Sequence, residues 1–107
     1  MDQFVALADP TRRHIIEALS RGERSFGELA DQFDMSRPAV SQHLKVLREN
    51  GLVTVRAEAQ RRYYRLHREG LDECDAWLKK VRNFWNQHLD RLENTLTASD
   101  DRGDDHG

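Results

Sequence analysis

The sequence predicts a mainly α-helical fold that carries one small β-hairpin. Apolar residues recur every three or four positions through most of the chain, which is the period of helices packed on a core. Helix-capping patterns precede several of these segments. Only two runs, 52–56 and 61–66, have the residue types of strands. With 107 residues, the chain suits one domain with a modest core.

Two short helices are predicted first, the earlier one over about Asp2–Leu7. Asp9 and Pro10 mark the start of the second helix, because an aspartate caps the first amides and a proline is tolerated at the first helical position. Its inward-facing residues are Ile15, Ile16 and Leu19, and Arg21-Gly22 ends it.

The next two helices are predicted to form a helix-turn-helix. Ser25 and Glu28 have the spacing of a capping box, which starts a third helix over about Phe26–Phe33. Only two residues separate that helix from Ser36, the cap of a fourth helix over about Arg37–Asn50. Two helices joined by so short a turn are typical of this motif. The core-facing residues of the fourth helix are Val40, Leu44 and Leu47.

Two strands follow at Leu52–Arg56 and Arg61–Leu66, with a turn over Ala57–Gln60. A lone hairpin is only marginally stable in water, so we expect this one to pack on the helices as a wing. The complete prediction is therefore a winged helix-turn-helix.

The last helix, over about Glu69–Thr97, has an apolar stripe that needs a partner. About 28 residues span roughly 42 Å, which is longer than a domain of this size covers. A second copy of the same helix is the simplest partner, and this predicts a homodimer built from residues 1–97. The alternative is that the helix bends back on its own domain. The expected interface residues are Phe4, Leu71, Cys74, Leu78, Val81, Trp85, Leu89 and Leu92.

The net charge of −2 hides a local excess of positive charge. Residues 36–68 contain eight basic and two acidic residues, whereas 98–107 contain four acidic residues and one basic residue. A basic block of this kind favours attraction to the phosphates of double-stranded DNA; a solvated charged face is the alternative. The acidic segment 98–107 is predicted to be a disordered tail.

Several classes of protein are excluded by what the sequence lacks. No apolar run approaches the roughly 18 residues of a membrane span, and the first residues do not resemble a signal peptide, so we expect a cytoplasmic location. Cys74 is the one cysteine, which rules out an internal disulfide and predicts a packing role. No glycine-rich phosphate loop or catalytic arrangement is present, so we expect neither a cofactor nor enzymatic activity.

Five segments of the chain resemble the arsenic-repressor (ArsR) family of winged-helix regulators. They are Leu7–Arg13, Glu28–Ala30, Ser36–Leu47, Gly51–Val53 and Tyr63–Leu66. They occur in the family's order and at its spacings, and the likeness covers 1–96. The resemblance implies a dimer built by the first and last helices and a fourth helix that enters the major groove. It also implies a repressor that a signal releases from its operator.

Many members of that family sense metals, so the corresponding positions matter. The family's cysteine pair is matched here by Ser25 and Gly27, which are not soft ligands. The ligands of a second family site would fall near Arg68, Gly70, Val81 and Phe84. None of these residues binds a metal, so we predict no metal site.

The polar face of the fourth helix is predicted to read DNA. Gln42 can bond adenine in a bidentate manner, and Arg37 can bond guanine or a phosphate. Arg56, Arg61 and Arg62 are predicted to lie at the wing tip, where an arginine suits the minor groove. The complete predicted set is Ser36, Arg37, Ala39, Ser41, Gln42, His43, Lys45, Arg48, Arg56, Arg61 and Arg62. Two alternatives stay open: His43 as a half-buried packing residue, and the wing arginines as solvated charges.

The predicted function is sequence-specific regulation of transcription, most simply as a repressor that binds an inverted-repeat operator as a homodimer. The signal stays open between a small organic effector, a partner protein and promoter competition without any effector. Trp77, Phe84 and Trp85 could line an apolar pocket between subunits. The simpler role of these aromatic residues is dimer core. The alternative from another class is a winged helix that binds protein or RNA.

Overall fold

The computed structural model describes the backbone of residues 2–100 and the side chains of residues 2–96. The chain divides into two units, Met1–Cys74 and Asp75–Gly107. The described part of the first unit holds four helices, three strands and the start of a fifth helix. The described part of the second unit is the remainder of that fifth helix. Over the described residues, no helix has both the length and the apolar character needed to cross a membrane.

Aspartate caps start the first two helices. The sequence predicts the cap Asp9, whereas Asp2 was expected as the first residue of the first helix and caps it instead. α1 (Gln3–Leu7) follows Asp2, whose carboxylate accepts a hydrogen bond from the Phe4 N–H at 3.0 Å. α2 (Pro10–Leu19) follows Asp9, which accepts from the Arg12 N–H at 3.0 Å. The predicted start of α2 is confirmed, and its end comes slightly before the expected Arg21-Gly22.

Serine caps start both helices of the helix-turn-helix. At α3 (Phe26–Gln32), the Ser25 hydroxyl accepts from the Glu28 N–H at 3.1 Å, and the Glu28 carboxylate accepts from the Ser25 N–H at 2.9 Å. This reciprocal pair confirms the capping box. At α4 (Arg37–Glu49), the Ser36 hydroxyl accepts from the Ala39 N–H at 3.2 Å.

The core of the first unit contains the predicted stripe of α4. Val40, Leu44 and Leu47 are at most 1% exposed. The buried apolar set is Ala6, Ile15, Ala18, Leu19, Leu29, Val40, Leu44, Leu47, Leu52, Val53, Tyr64 and Cys74. Because this face of α4 is buried, its opposite face points outward.

The sheet has three antiparallel strands, one more than the sequence predicts. β1 (Arg24–Ser25) pairs with β3 (Arg61–Leu66), which also pairs with β2 (Val53–Glu58). Two residues are too few to show alternation, so β1 had no detectable signal. The hairpin loop is also tighter than the expected 57–60, because pairing continues through Glu58 and Arg61. Ala59 in this loop has a φ of 56°, a conformation that glycine or asparagine usually adopts.

The fifth helix, α5 (Arg68–Asp100), starts against the residues that follow α4. A Cβ atom at position 70 would overlap the carbonyl oxygen of Gly51, so only a glycine allows this close approach. Leu71 is consequently half-buried, and Cys74 is 6% exposed within the first unit. The sequence placed both residues in the dimer interface and also predicted a packing role for Cys74; in the first unit Cys74 is part of the core and Leu71 packs against it. α5 continues past the expected end at Thr97, and 101–107 lie outside the described residues.

Candidate nucleic-acid interface

The outward face of α4 consists of polar side chains. The exposed members of the predicted set are Ser36, Arg37, Ser41, Gln42, Lys45 and Arg48, and Ala39 is half-buried. An α-helix fits the major groove of B-DNA, where hydrogen-bond donors and acceptors of this kind meet the base edges. The buried apolar stripe on the opposite side of α4 packs the helix on the core, and none of these polar side chains belongs to that stripe.

A groove of about 610 Å³ lies beside the start of α4. Its lining includes Ser41 of α4 and Gln60 of the wing. It also includes three arginines, Arg37, Arg61 and Arg62. The guanidinium carbon of Arg37 lies 5.7 Å from the centre of the Phe26 ring, a cation–π distance that favours one orientation of this long side chain.

The groove carries more positive than negative charge. Glu28 lines it together with the three arginines. The Ser25 N–H donates to the Glu28 carboxylate and holds its pKa below the usual range, so Glu28 is ionised at neutral pH. Three cations against one carboxylate leave a surplus that attracts phosphate.

Arg56 does not lie at the wing tip, where the sequence placed it. It pairs with Tyr63, two rungs of the ladder below the pair of Glu58 and Arg61. The Glu23 carboxylate accepts from Arg56 Nε at 3.1 Å and from Nη2 at 2.8 Å. The Arg56 guanidinium also lies 4.5 Å from the Tyr63 ring. These hydrogen bonds lower the pKa of Glu23 and raise that of Arg56, so the charge of Arg56 is already paired within the protein.

His43 is half-buried, which matches the alternative that the sequence left open. Its Nδ1 lies 3.4 Å from Arg12 Nη1 and 3.9 Å from Asp9 Oδ2, both at the start of α2. At least one ring nitrogen therefore faces the protein and not the solvent. The hydrogen bond from the backbone N–H of Arg12 and the nearby charge of Arg12 lower the pKa of Asp9, against the opposing effect of burial.

Sequence reasoning missed several contacts of the predicted set, among them those with Arg12, Glu23 and Phe26. The contact between Arg12 and His43 joins residues 31 positions apart, and the contact between Glu23 and Arg56 joins residues 33 apart. Helix and strand periodicities report only neighbours within a few positions, so no local signal indicated these contacts.

Comparison with known proteins identifies the family. The family model described as bacterial regulatory protein, arsR family, matches residues 9–55. The HTH-type transcriptional regulator Rv2034 of Mycobacterium tuberculosis is 44% identical over 100 residues, which cover 94% of this chain and 88% of the relative. The chain belongs to the ArsR family.

Further relatives of this ArsR-family protein agree. The transcriptional repressor SdpR of Bacillus subtilis is 33% identical over 75 residues, which cover 70% of this chain and 83% of SdpR. The crystal structure of a possible transcriptional regulator for arsenical resistance has a TM-score of 0.72 to this chain at 44% identity. The match covers 89% of this chain and 96% of that one. The ArsR-family protein is thus a winged-helix, DNA-binding transcriptional regulator and not an enzyme.

In the second unit, α5 of this ArsR-family protein has a long exposed apolar face. Its residues Leu78, Val81, Trp85, Leu89 and Leu92 are between 42% and 57% exposed. Phe4 of α1, in the first unit, is 39% exposed. These six members of the predicted dimer interface are exposed, whereas its other two members, Leu71 and Cys74, are not.

Metal-binding chemistry is limited in the described part of this ArsR-family chain. No three His, Cys, Asp or Glu side chains come close enough there to hold an ion. Burial, with smaller effects of Glu73 and Asp2, raises the pKa of the Cys74 thiol. A thiol that stays protonated is a poor ligand and a poor nucleophile.

Proposed function

We propose that this ArsR-family regulator represses transcription by binding an inverted-repeat operator as a homodimer, without a metal signal. The observation that carries the proposal is the polar outward face of α4 beside a positively charged groove. Base edges in the major groove call for short or forked polar side chains, and the groove arginines suit the adjacent phosphates.

Individual residues of this face take different roles in the proposal. Gln42 is exposed near the middle of α4 and is suited to bidentate pairing with adenine. Lys45 and Arg48 follow on the same helix and grip phosphates. Arg61 and Arg62 directly follow the hairpin loop. From there they reach the DNA backbone or a narrow minor groove.

The dimer is proposed from the exposed apolar residues of α5 together with Phe4 of α1. Large apolar side chains exposed in a row along one helix are costly in water, and a second copy of the same helix covers them symmetrically. A two-fold axis relates the two α4 helices, so the operator is an inverted repeat. Its half-sites lie about 34 Å, or roughly 10 base pairs, apart.

The signal in this proposal is not a metal. The positions that match the family's cysteine pair are Ser25 and Gly27, and Ser25 already serves as the cap of α3. A small organic molecule or a partner protein therefore releases the repressor. The exposed rings of Trp77, Phe84 and Trp85 would line an apolar pocket if the dimer leaves space between them.

The test combines selection of DNA with measurement of mass. Purified protein is incubated with a randomised duplex library, and the recovered duplexes are sequenced; enrichment of an inverted repeat is expected. Analytical ultracentrifugation should give a dimer, and a reporter placed behind the selected duplex should be less active when the protein is present. Failure to enrich any duplex at low salt, with binding to RNA or to a protein instead, would favour the interaction-module alternative.

A further inference from the structure

We propose that Arg12 is a positioning residue for DNA recognition, because it ties the DNA-reading helix α4 to the end of α1 through His43. The inference rests on the proposed reading role of α4 and adds a residue outside the DNA-facing surface. It concerns the first unit alone.

Arg12 joins two elements through one rigid group. Its Nε donates to the carbonyl of Ala6 at 2.6 Å, and its Nη2 donates to the carbonyl of Val5 at 3.3 Å. Both acceptors lie in the last turn of α1. The remaining nitrogen, Nη1, lies 3.4 Å from Nδ1 of His43 on α4. The N–H donors of a planar guanidinium point in fixed directions, so one arginine can contact all three partners at once. The single ammonium group of a lysine cannot do this.

The chemistry of this contact fixes which partner donates. Arginine nitrogens only donate, so the contact with Arg12 is a hydrogen bond in the tautomer of His43 whose Nδ1 is unprotonated and accepts. Asp9 is the third member of this cluster. Its carboxylate accepts a hydrogen bond from the backbone N–H of Arg12 at 3.0 Å and lies 3.9 Å from His43 Nδ1. The cluster is therefore built from α2 and α4 and is anchored on α1.

The position of His43 explains why the contact matters for reading. His43 follows Gln42 directly and lies one turn from Val40 and Leu47, at the edge of the buried stripe of α4. Apolar packing resists separation of the helix from the core but is weakly directional, whereas a hydrogen bond at the stripe's edge resists rotation about the helix axis. Base readout requires side chains placed within a fraction of an ångström, so rotation of α4 reduces selectivity.

The experiment compares Arg12→Lys with Arg13→Lys on the duplex enriched from the randomised library and on a scrambled duplex. Arg13 is a matched control, because it also donates to carbonyls at the end of α1, those of Leu7 and Ala8 at 2.8 and 3.1 Å. Arg12→Lys is expected to weaken binding to the selected duplex about 3- to 10-fold, the range of one or two ordinary hydrogen bonds. Binding to the scrambled duplex should change little, and Arg13→Lys should behave as the wild type.

A second variant separates positioning from direct contact with DNA. His43→Phe keeps an aromatic ring and removes Nδ1, and it carries the test if Arg12→Lys does not stay folded in a thermal melt. The double variant should lose no more affinity than the more affected single variant, because both act through one contact. Additive losses would mean that His43 reads DNA by itself, and they would overturn the inference.

Two further outcomes also overturn it. Arg12→Gln should leave the dependence of affinity on salt unchanged; a fall in the slope of about 0.9 per protomer, or about 1.8 in the proposed dimer, would make Arg12 a phosphate contact. Unchanged selectivity in both Arg12→Lys and His43→Phe would show that the link has no role in reading. If the wild type enriches no duplex, the proposed function fails and the inference falls with it; if it does enrich one, only the inference is at stake.

Discussion

Replacing both Arg61 and Arg62 by glutamine should make DNA binding markedly less sensitive to salt. Both side chains are exposed beside the hairpin loop and line the groove next to α4. Each phosphate contact contributes about 0.9 to the slope of log affinity against log salt. Loss of two contacts therefore lowers the slope by about 1.8 per protomer, or about 3.6 in the proposed dimer.

Arg56→Gln is the matched control on the same hairpin. It removes one positive charge, half of what the double variant removes, but the guanidinium of Arg56 already donates two hydrogen bonds to Glu23 and therefore releases few counterions from DNA. Its slope should therefore fall by much less than about 0.9 per protomer. Fluorescence anisotropy on the selected duplex, between about 50 and 200 mM salt, measures all three slopes. An unchanged slope in the double variant, or an equal fall for Arg56→Gln, would refute the assignment of the wing to the DNA interface.

The remaining predictions concern reading, packing and acid stability. Gln42→Ala should cost about 1–3 kcal/mol on the selected duplex and little on scrambled DNA; equal losses on both would show that Gln42 does not read sequence. Gly70→Ala should lower the free energy of unfolding by about 1–3 kcal/mol or more in urea titrations, because the added methyl group overlaps backbone. Gly27→Ala, which meets no atom closer than 3.9 Å, is the control and should be neutral or stabilising. The pKa values of Glu23 and Glu28 lie below their usual 4.5, so their stabilising contribution is complete above that pH and is lost as the pH falls through the lowered values. Urea titrations from pH 7 to pH 3 should show this loss; stability that rises on acidification would contradict it.

Sequence by itself determined the features that depend on near neighbours. The capping box of Ser25 and Glu28, and the caps Asp9 and Ser36, are satisfied within three residues of the chain, and the structure confirms each of them. The buried stripe of α4 was readable for the same reason, since a helix places residues three and four apart on one face. These signals were enough to predict the winged helix-turn-helix and to separate the buried face of α4 from its polar face.

Tertiary structure alone decided which charged groups are available to a partner. Arg56 and Arg61 look alike in the sequence, yet Glu23, 33 positions from Arg56, accepts two hydrogen bonds from the former. His43 belongs to the polar run of α4, yet Arg12, 31 positions away, faces its ring nitrogen. The close approach of Gly70 to the carbonyl oxygen of Gly51 is a further contact between segments that no local pattern indicated. The physical reason is that pairing and burial depend on where distant segments meet in space, whereas the periodicity of a sequence records only the geometry of one helix or strand.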